Sequence, residues 1–135
     1  MTVDETRDLA LGALYAADSR SMEEIDVTKV PRDAGVLADQ VWSNREAIDA
    51  VISAASTRWR IERMPLVDRN ILRLGTYELL FTDLPVGVPI NECVELAKLY
   101  GSASSSGFIN GVLSAVAQDR DKRPAAAEPN EDVPR

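Results

Sequence analysis

The sequence contains no histidine and a single cysteine, Cys93, among its 135 residues. The first absence removes the side chain that most often serves as general base, proton shuttle or metal ligand near neutral pH. Together the two exclude a structural zinc site built from thiolates and imidazoles. A lone cysteine cannot form an intramolecular disulfide and suits a reducing compartment. Aromatic residues make up only 5% of the chain, against 45% for all hydrophobic residues. A core of Leu, Ile, Val and Ala is therefore expected, and such side chains suit packed helices. No apolar run reaches about 18 residues, so no membrane span is expected. No basic segment followed by an apolar one opens the chain, so no secretory signal is visible and a cytoplasmic location is expected. Phosphate-cradling glycine loops and the GxSxG nucleophile elbow are also missing. The acids show no spacing that suggests a catalytic pair. Neither an enzyme nor a cofactor is expected.

What is present points to one helical domain. The length supports one core and not two ordinary ones. The net charge is −7 and is unevenly spread. Residues 1–26 hold seven acids against two bases, whereas residues 27–118 are nearly balanced. An acidic surface disfavours nonspecific nucleic-acid binding, although a local basic patch still acts. The one locally basic stretch is 58–73, where Arg58, Arg60, Arg63, Arg69 and Arg73 stand with Glu62 and Asp68.

Apolar spacing predicts helices over about 3–18, 33–57, 65–82, 91–100 and 104–118, with no sheet. Thr2 and Glu5 form a capping-box pattern at the first start, and Asp4 and Glu5 complement the helix dipole. Ser43 and Glu46 repeat the pattern, so the second helix is expected to break near Ser43. Pro65 opens the next helix. The segment "PLVDRNILRLGTYELLFT" is apolar on more than one face, which predicts a central helix with neighbours on two sides. Gly75 inside it costs about 1 kcal/mol against Ala, and its expected return is the close approach of another helix. "DLPVGVP" ends that helix and Asn91 is the expected cap of the following one. The serines of "SASSS" offer caps for the last. From 119 to 135 the chain carries three prolines and many charges with almost no large apolar residue, and a disordered tail is expected there.

Three blocks carry a resemblance: "WRIERMPLVDRNILRLGTYELLF" from Trp59, "VPINECVELAKLYG" from Val88 and "FINGVL" from Phe108. Their order and spacing resemble the bacterial transcription antitermination factor NusB family, and "LALGALY" at 9–15 resembles that family's first helix. The resemblance spans about residues 7–118 and is tightest from 59 onward. It implies an all-α fold of two small three-helix bundles with a short extra helix, occupying residues 1–118. It further implies binding to the small-subunit ribosomal protein NusE and, with it, to boxA of nascent ribosomal RNA within an RNA polymerase antitermination complex. Some family members pair as homodimers, and the sequence leaves that open here.

By the same resemblance, the RNA surface takes the start of the first helix and the loop entering the last. Carried over residue by residue, it comprises Arg7, Tyr15, Ser104, Ser105, Ser106 and Phe108. Arg73, Tyr77 and Glu78 match the partner-binding pattern. From spacing alone, Tyr15 is a half-buried core tyrosine, Phe108 is an ordinary core aromatic, and Arg69 and Arg73 are surface or intrahelical charges at i, i+4. The family's first helix opens with several cations. Here Arg7 alone matches, and Asp4 and Glu5 stand where cations are expected. RNA binding by the free chain is therefore expected to be weak. A second reading is a protein-only module of the same fold that has lost RNA recognition. A third, the helical domain of an RNA cytosine methyltransferase, lacks a catalytic segment here.

Overall fold

A computed structural model describes residues 4–122. Six α-helices occur in the order α1 Glu5–Ser19, α2 Arg32–Ser43, α3 Arg45–Ala55, α4 Leu66–Phe81, α5 Gly87–Tyr100 and α6 Ser105–Lys122. A short 3-10 turn, Ile61–Arg63, precedes α4. Among the described residues there is no strand, as the apolar spacing predicts. The expected cap Thr2 and residues 123–135 of the expected tail lie outside the described residues.

The helix ends show why the boundaries fall where they do. Asp4 caps α1, its carboxylate accepting from the Arg7 backbone N–H at 3.0 Å. At the other end Ser21 adopts φ 51°. Its N–H donates to the Asp18 carbonyl at 3.1 Å and that of Met22 to the Ala17 carbonyl at 2.9 Å. This pair of bonds satisfies carbonyls the helix would leave unpaired.

The break between α2 and α3 falls at Asn44, beside the expected Ser43. The Asn44 amide donates to the Gln40 carbonyl at 2.7 Å, and neither helix end uses a Ser43–Glu46 box. The start of α5 lies four residues before the expected cap, Asn91, which sits inside the helix. Pro89 is buried in the first turn, where a missing N–H costs nothing. The last helix runs four residues past the expected end at 118, so residues 119–122 continue it.

Helices α4, α5 and α6 pack on one another, α1 packs on α2 and α4, α3 lies chiefly against α4 and α6, and α4 touches every other helix. Every residue of α4 from Asn70 to Leu79 is buried. Helix α1 runs antiparallel to α4, because Arg7 meets Glu78 while Asp18 meets Arg69 and Asn70. Helix α6 runs parallel to α4, because Ser105 meets Asp68 while Leu113 packs on Gly75. The apolar core joins Leu14, Ile48, Ile52, Ile71, Leu72, Leu74, Leu96, Ile109 and Leu113, all fully buried.

Gly75 has the role its position predicts. A Cβ there would lie 2.7 Å from Leu113 Cδ1 and 2.9 Å from Cys93 Sγ. The absent side chain lets α5 and α6 close on α4 from two sides. Gly75→Ala is expected to cost about 1–3 kcal/mol through overpacking, outweighing the helix-propensity gain of about 1 kcal/mol. Urea unfolding of the two proteins measures the difference.

Candidate nucleic-acid interface

The charged residues of α4 are held by partners on other helices. Arg69 donates two parallel bonds to Asp18, Nε to Oδ2 at 2.9 Å and Nη2 to Oδ1 at 2.8 Å. Asn70 donates to the same carboxylate at 2.8 Å and Arg73 at 3.0 Å. Arg73 also grips Asp49 of α3 with two bonds of 2.8 Å. One carboxylate of α1 and one of α3 thus neutralise two guanidinium groups of α4. The reading of Arg69 and Arg73 as surface or intrahelical charges is corrected: their partners are distant in sequence and their side chains are largely enclosed.

Arg7 performs the same service at the opposite end of the α1–α4 pair. Its guanidinium meets Glu78 in a two-bond pair of 2.8 and 2.9 Å and donates its third edge to Asp4 at 3.0 Å. Burial opposes its charge, but the Glu78 hydrogen bond and the nearby carboxylates outweigh it, and the Arg7 pKa is raised. The one cation retained from the family's basic arm is therefore committed to the fold.

The expected partner-binding side chains are also interior. Arg73, Tyr77 and Glu78 are only 6%, 6% and 5% exposed. Tyr77 stacks on Phe81 with ring centroids 5.3 Å apart. Over Asn70–Leu79 the helix is enclosed by its neighbours, so these three side chains offer little surface from the folded chain. Ser105 is corrected likewise. It is buried, its Oγ donating toward both oxygens of Asp68 at 2.9 and 3.1 Å and accepting from the Ser102 N–H at 2.9 Å. Burial raises the Asp68 carboxyl above its ordinary range, and the Ser105 bond only partly offsets this.

Four of the expected RNA residues keep some access. Tyr15 is 42% exposed, a half-buried ring with part of its face open to solvent. Ser104 is exposed, Ser106 half-buried, and Phe108 half-buried against the core. The C-terminal end of α1 and the N-terminal ends of α4 and α6 lie together, through Asp18–Arg69 and Asp68–Ser105. Tyr15 and Ser104 thus belong to one end of the molecule. Tyr100, which the sequence reading missed, closes α5 just before the loop to Ser104. It is 48% exposed and donates its hydroxyl to Asp8 of α1 at 2.6 Å. The available signal was its place beside Gly101, at a helix end where an aromatic ring has no core to enter.

This is an all-helical protein built on one central helix, with Tyr15 and Ser104 accessible toward the N-terminal end of that helix and Tyr100 accessible beside the start of α1. The NusB family model matches residues 4–118. The chain is 46% identical over 124 residues to the transcription antitermination protein NusB of Anaeromyxobacter sp. (strain Fw109-5), covering 82% of this chain and 86% of that one. Among solved structures, T. maritima NusB superposes with a TM-score of 0.71 at 32% identity, covering 91% of this chain and all of that one. A complex of the antitermination factors NusB and NusE with dsRNA gives 0.71 at 30% identity, covering 84% and 94%. The chain belongs to the NusB family.

Two outcomes test the charged framework. Burial would raise the Asp18 carboxyl, but bonds from Arg69 and Asn70 and the Arg73 charge outweigh it and hold the pKa below its ordinary value. The folded carboxylate therefore binds fewer protons than the unfolded one, whose pKa is about 3.9. Its contribution is fully present above that value and is lost as pH falls through the depressed folded one. Asp18→Asn is expected to cost about 3–5 kcal/mol at pH 7, the scale for leaving enclosed cations unpaired. The cost should shrink in acid, and urea titrations at pH 7 and pH 3 check both statements. Arg7→Ala strands Glu78 in the interior and is expected to cost a similar amount, while Glu78→Gln with Arg7 retained should cost less, because Asp4 still pairs with the guanidinium at 3.0 Å.

Proposed function

We propose that this protein is a transcription antitermination factor that binds a NusE-type ribosomal protein and, with it, the boxA element of nascent ribosomal RNA. Termination is suppressed when the pair joins the RNA polymerase antitermination complex in the bacterial cytoplasm. Membership of the NusB family supports the reading, as does the similarity to a solved NusB–NusE–RNA assembly. Among the described residues no helix is long and apolar enough to cross a membrane.

The observation that carries the mechanism is the pairing of Arg7 with Glu78 and Asp4. Phosphate must compete with two carboxylates for that guanidinium, so the start of α1 supplies almost no counterion release. The RNA surface then consists of Tyr15, Tyr100 and Phe108 for stacking, and Ser104 and Ser106 for hydrogen bonds. Stacking contributes about 1–3 kcal/mol per base. Without charge that is too little to hold RNA at physiological salt. A basic ribosomal protein supplies the missing cations, so the two proteins together form the RNA-binding unit.

The partner surface lies beside α4 and not on it. Helix α5 turns Val88, Asn91 and Leu99 outward, with Leu99 55% exposed, and carries Glu92 and Glu95 alongside. Val88 and Leu99 offer apolar area for burial against a basic protein surface, and Glu92 offers charge to steer it, while Glu95 is paired with Lys98 at 3.3 Å.

Titration of a boxA RNA, with and without the ribosomal protein and at two salt concentrations, tests the reading. The free chain should bind weakly and the pair tightly. Tyr15→Ala should weaken the ternary complex by about 1–3 kcal/mol without loss of fold. Phe108→Ala should weaken it and also lower stability, because half of that ring packs on the core. Leu99→Asp should abolish partner binding. Tight, steeply salt-dependent binding by the free chain would overturn the division of labour. Partner binding with no RNA bound by the pair would favour the protein-only module.

A further inference from the structure

We propose that the loop between α3 and α4 is a second contact for single-stranded RNA, with Trp59 as the stacking platform and Arg58, Arg60 and Arg63 as the phosphate contacts. This rests on the RNA-binding function proposed above and extends it to a site outside the α1 and α6 surface.

The two tryptophans have opposite environments. Trp42 is 4% exposed, donates its indole N–H to the Glu23 carbonyl at 3.0 Å and lies under the Arg45 guanidinium. Trp59 is 47% exposed. A large ring left in water forgoes burial worth several times a methylene group. Trp59 is therefore available to a ligand.

The arginines differ in the same way. Arg7, Arg69 and Arg73 are spent inside the fold, whereas Arg58, Arg60 and Arg63 are exposed. Among the described residues Arg58 and Arg63 have no ion pair within 4 Å. Arg60 has only a loose contact of 3.6 Å with Glu62, in which both side chains are mostly in solvent. The loop thus holds three accessible cations against one acid in a chain of net charge −7. Guanidinium groups suit phosphate by geometry as well as charge.

The loop is also held in shape. Ser56 Oγ donates to the Trp59 carbonyl at 2.7 Å, and Arg69 Nη1 donates to the Ile61 carbonyl at 3.2 Å. Met64 anchors its far end in the core. A cleft of about 350 Å³ opens beside the ring, lined by Ser53, Ser56, Thr57, Arg58 and Arg60 among others. That is at the small end of ligand-sized cavities, and its hydroxyls and cations suit a nucleotide better than an apolar side chain. An aromatic platform interleaved with arginines is the pattern that binds single strands with little sequence preference.

Its location fits the same RNA. The loop enters α4 at Leu66, two residues after Met64, and Asp68 in the first turn binds Ser105 of α6. The patch therefore lies at the end of α4 and α6 that carries Ser104. A strand leaving the Tyr15 and Ser104 surface reaches it along one end of the molecule.

The test uses the full chain with its ribosomal-protein partner, at several salt concentrations. The probes are a short boxA RNA and the same RNA lengthened by about ten uridines on each side. Trp59→Ala should weaken the lengthened RNA by about 5- to 100-fold. Trp59→Phe should recover most of that loss. The triple variant Arg58→Ala, Arg60→Ala, Arg63→Ala should reduce the salt slope for the lengthened RNA by about two, at about 0.7 per single-strand contact. Short-RNA and partner affinities should not change, and melting curves should overlay because the altered side chains are exposed. Equal binding of the lengthened RNA by all variants would overturn the site. So would a loss confined to partner binding, which would make the patch a protein contact. Failure of the unaltered pair to bind either RNA would overturn both this site and the function on which it rests.

Discussion

The Asp18 carboxylate is the joint on which the arrangement of helices depends. It accepts from Arg69, Asn70 and Arg73 at once, and Arg73 passes the connection on to Asp49 of α3. Ionic groups enclosed this far lose hydration that their mutual attraction only roughly restores. Apolar side chains of equal volume would pack into the same space at no greater cost. What the ionic joint adds is position, because carboxylate and guanidinium bond only in a narrow set of geometries. The Arg7–Glu78 pair fixes the other end of the same two helices. With both ends pinned, α1 can neither slide along α4 nor reverse on it, and the ends of α4 and α6 keep their place beside Tyr15.

This internal use of charge changes how the molecule meets RNA. A sum over the sequence treats every arginine alike, but Arg7, Arg69 and Arg73 are neutralised where they stand. The field felt by an approaching phosphate comes from the remaining exposed cations, and the α3–α4 loop gathers three of them, Arg58, Arg60 and Arg63, against the single acid Glu62. The acidic start of α1 then has a structural explanation. Asp4 caps the helix and closes the third edge of Arg7, so it serves the same clamp.

The fold was largely legible because it rests on local patterns. Leu14, Ile48, Ile52, Ile109 and Leu113 stand at helical spacing, and Gly75 interrupts a helix at the one place where its neighbours close in. The start of α5 was misread because Pro89 looks like a terminator, although a proline in a first turn is permitted. The family resemblance was carried by runs from α4, α5 and α6, whose residues are dictated mainly by packing. The site was less legible for a definite reason. Nothing near Arg73 in sequence announces Asp18, 55 positions away, or Asp49, 24 positions away. Spacing therefore assigned to the surface what long-range pairing had taken inside. Ser104, Ser105 and Ser106 are equivalent as letters, and only the packing of α6 on α4 separates the buried one from its neighbours.

The antiparallel clamp between α1 and α4 has a consequence for the order in which the chain can fold on the ribosome. Helix α1 leaves the exit tunnel long before its partners in α4, which lie 51 to 71 residues later. Until those residues emerge, Asp18 and Asp49 have no cations to meet and the apolar stripes of α1 and α3 have no central helix to cover. The N-terminal half therefore waits as marginal helices, since short isolated helices are barely stable in water. Structure is locked only when α4 arrives, and α5 and α6 then add to a helix already engaged on its other side. A protein built in this way completes the end that carries Ser104 and Phe108 last, because α6 is the final helix to be made.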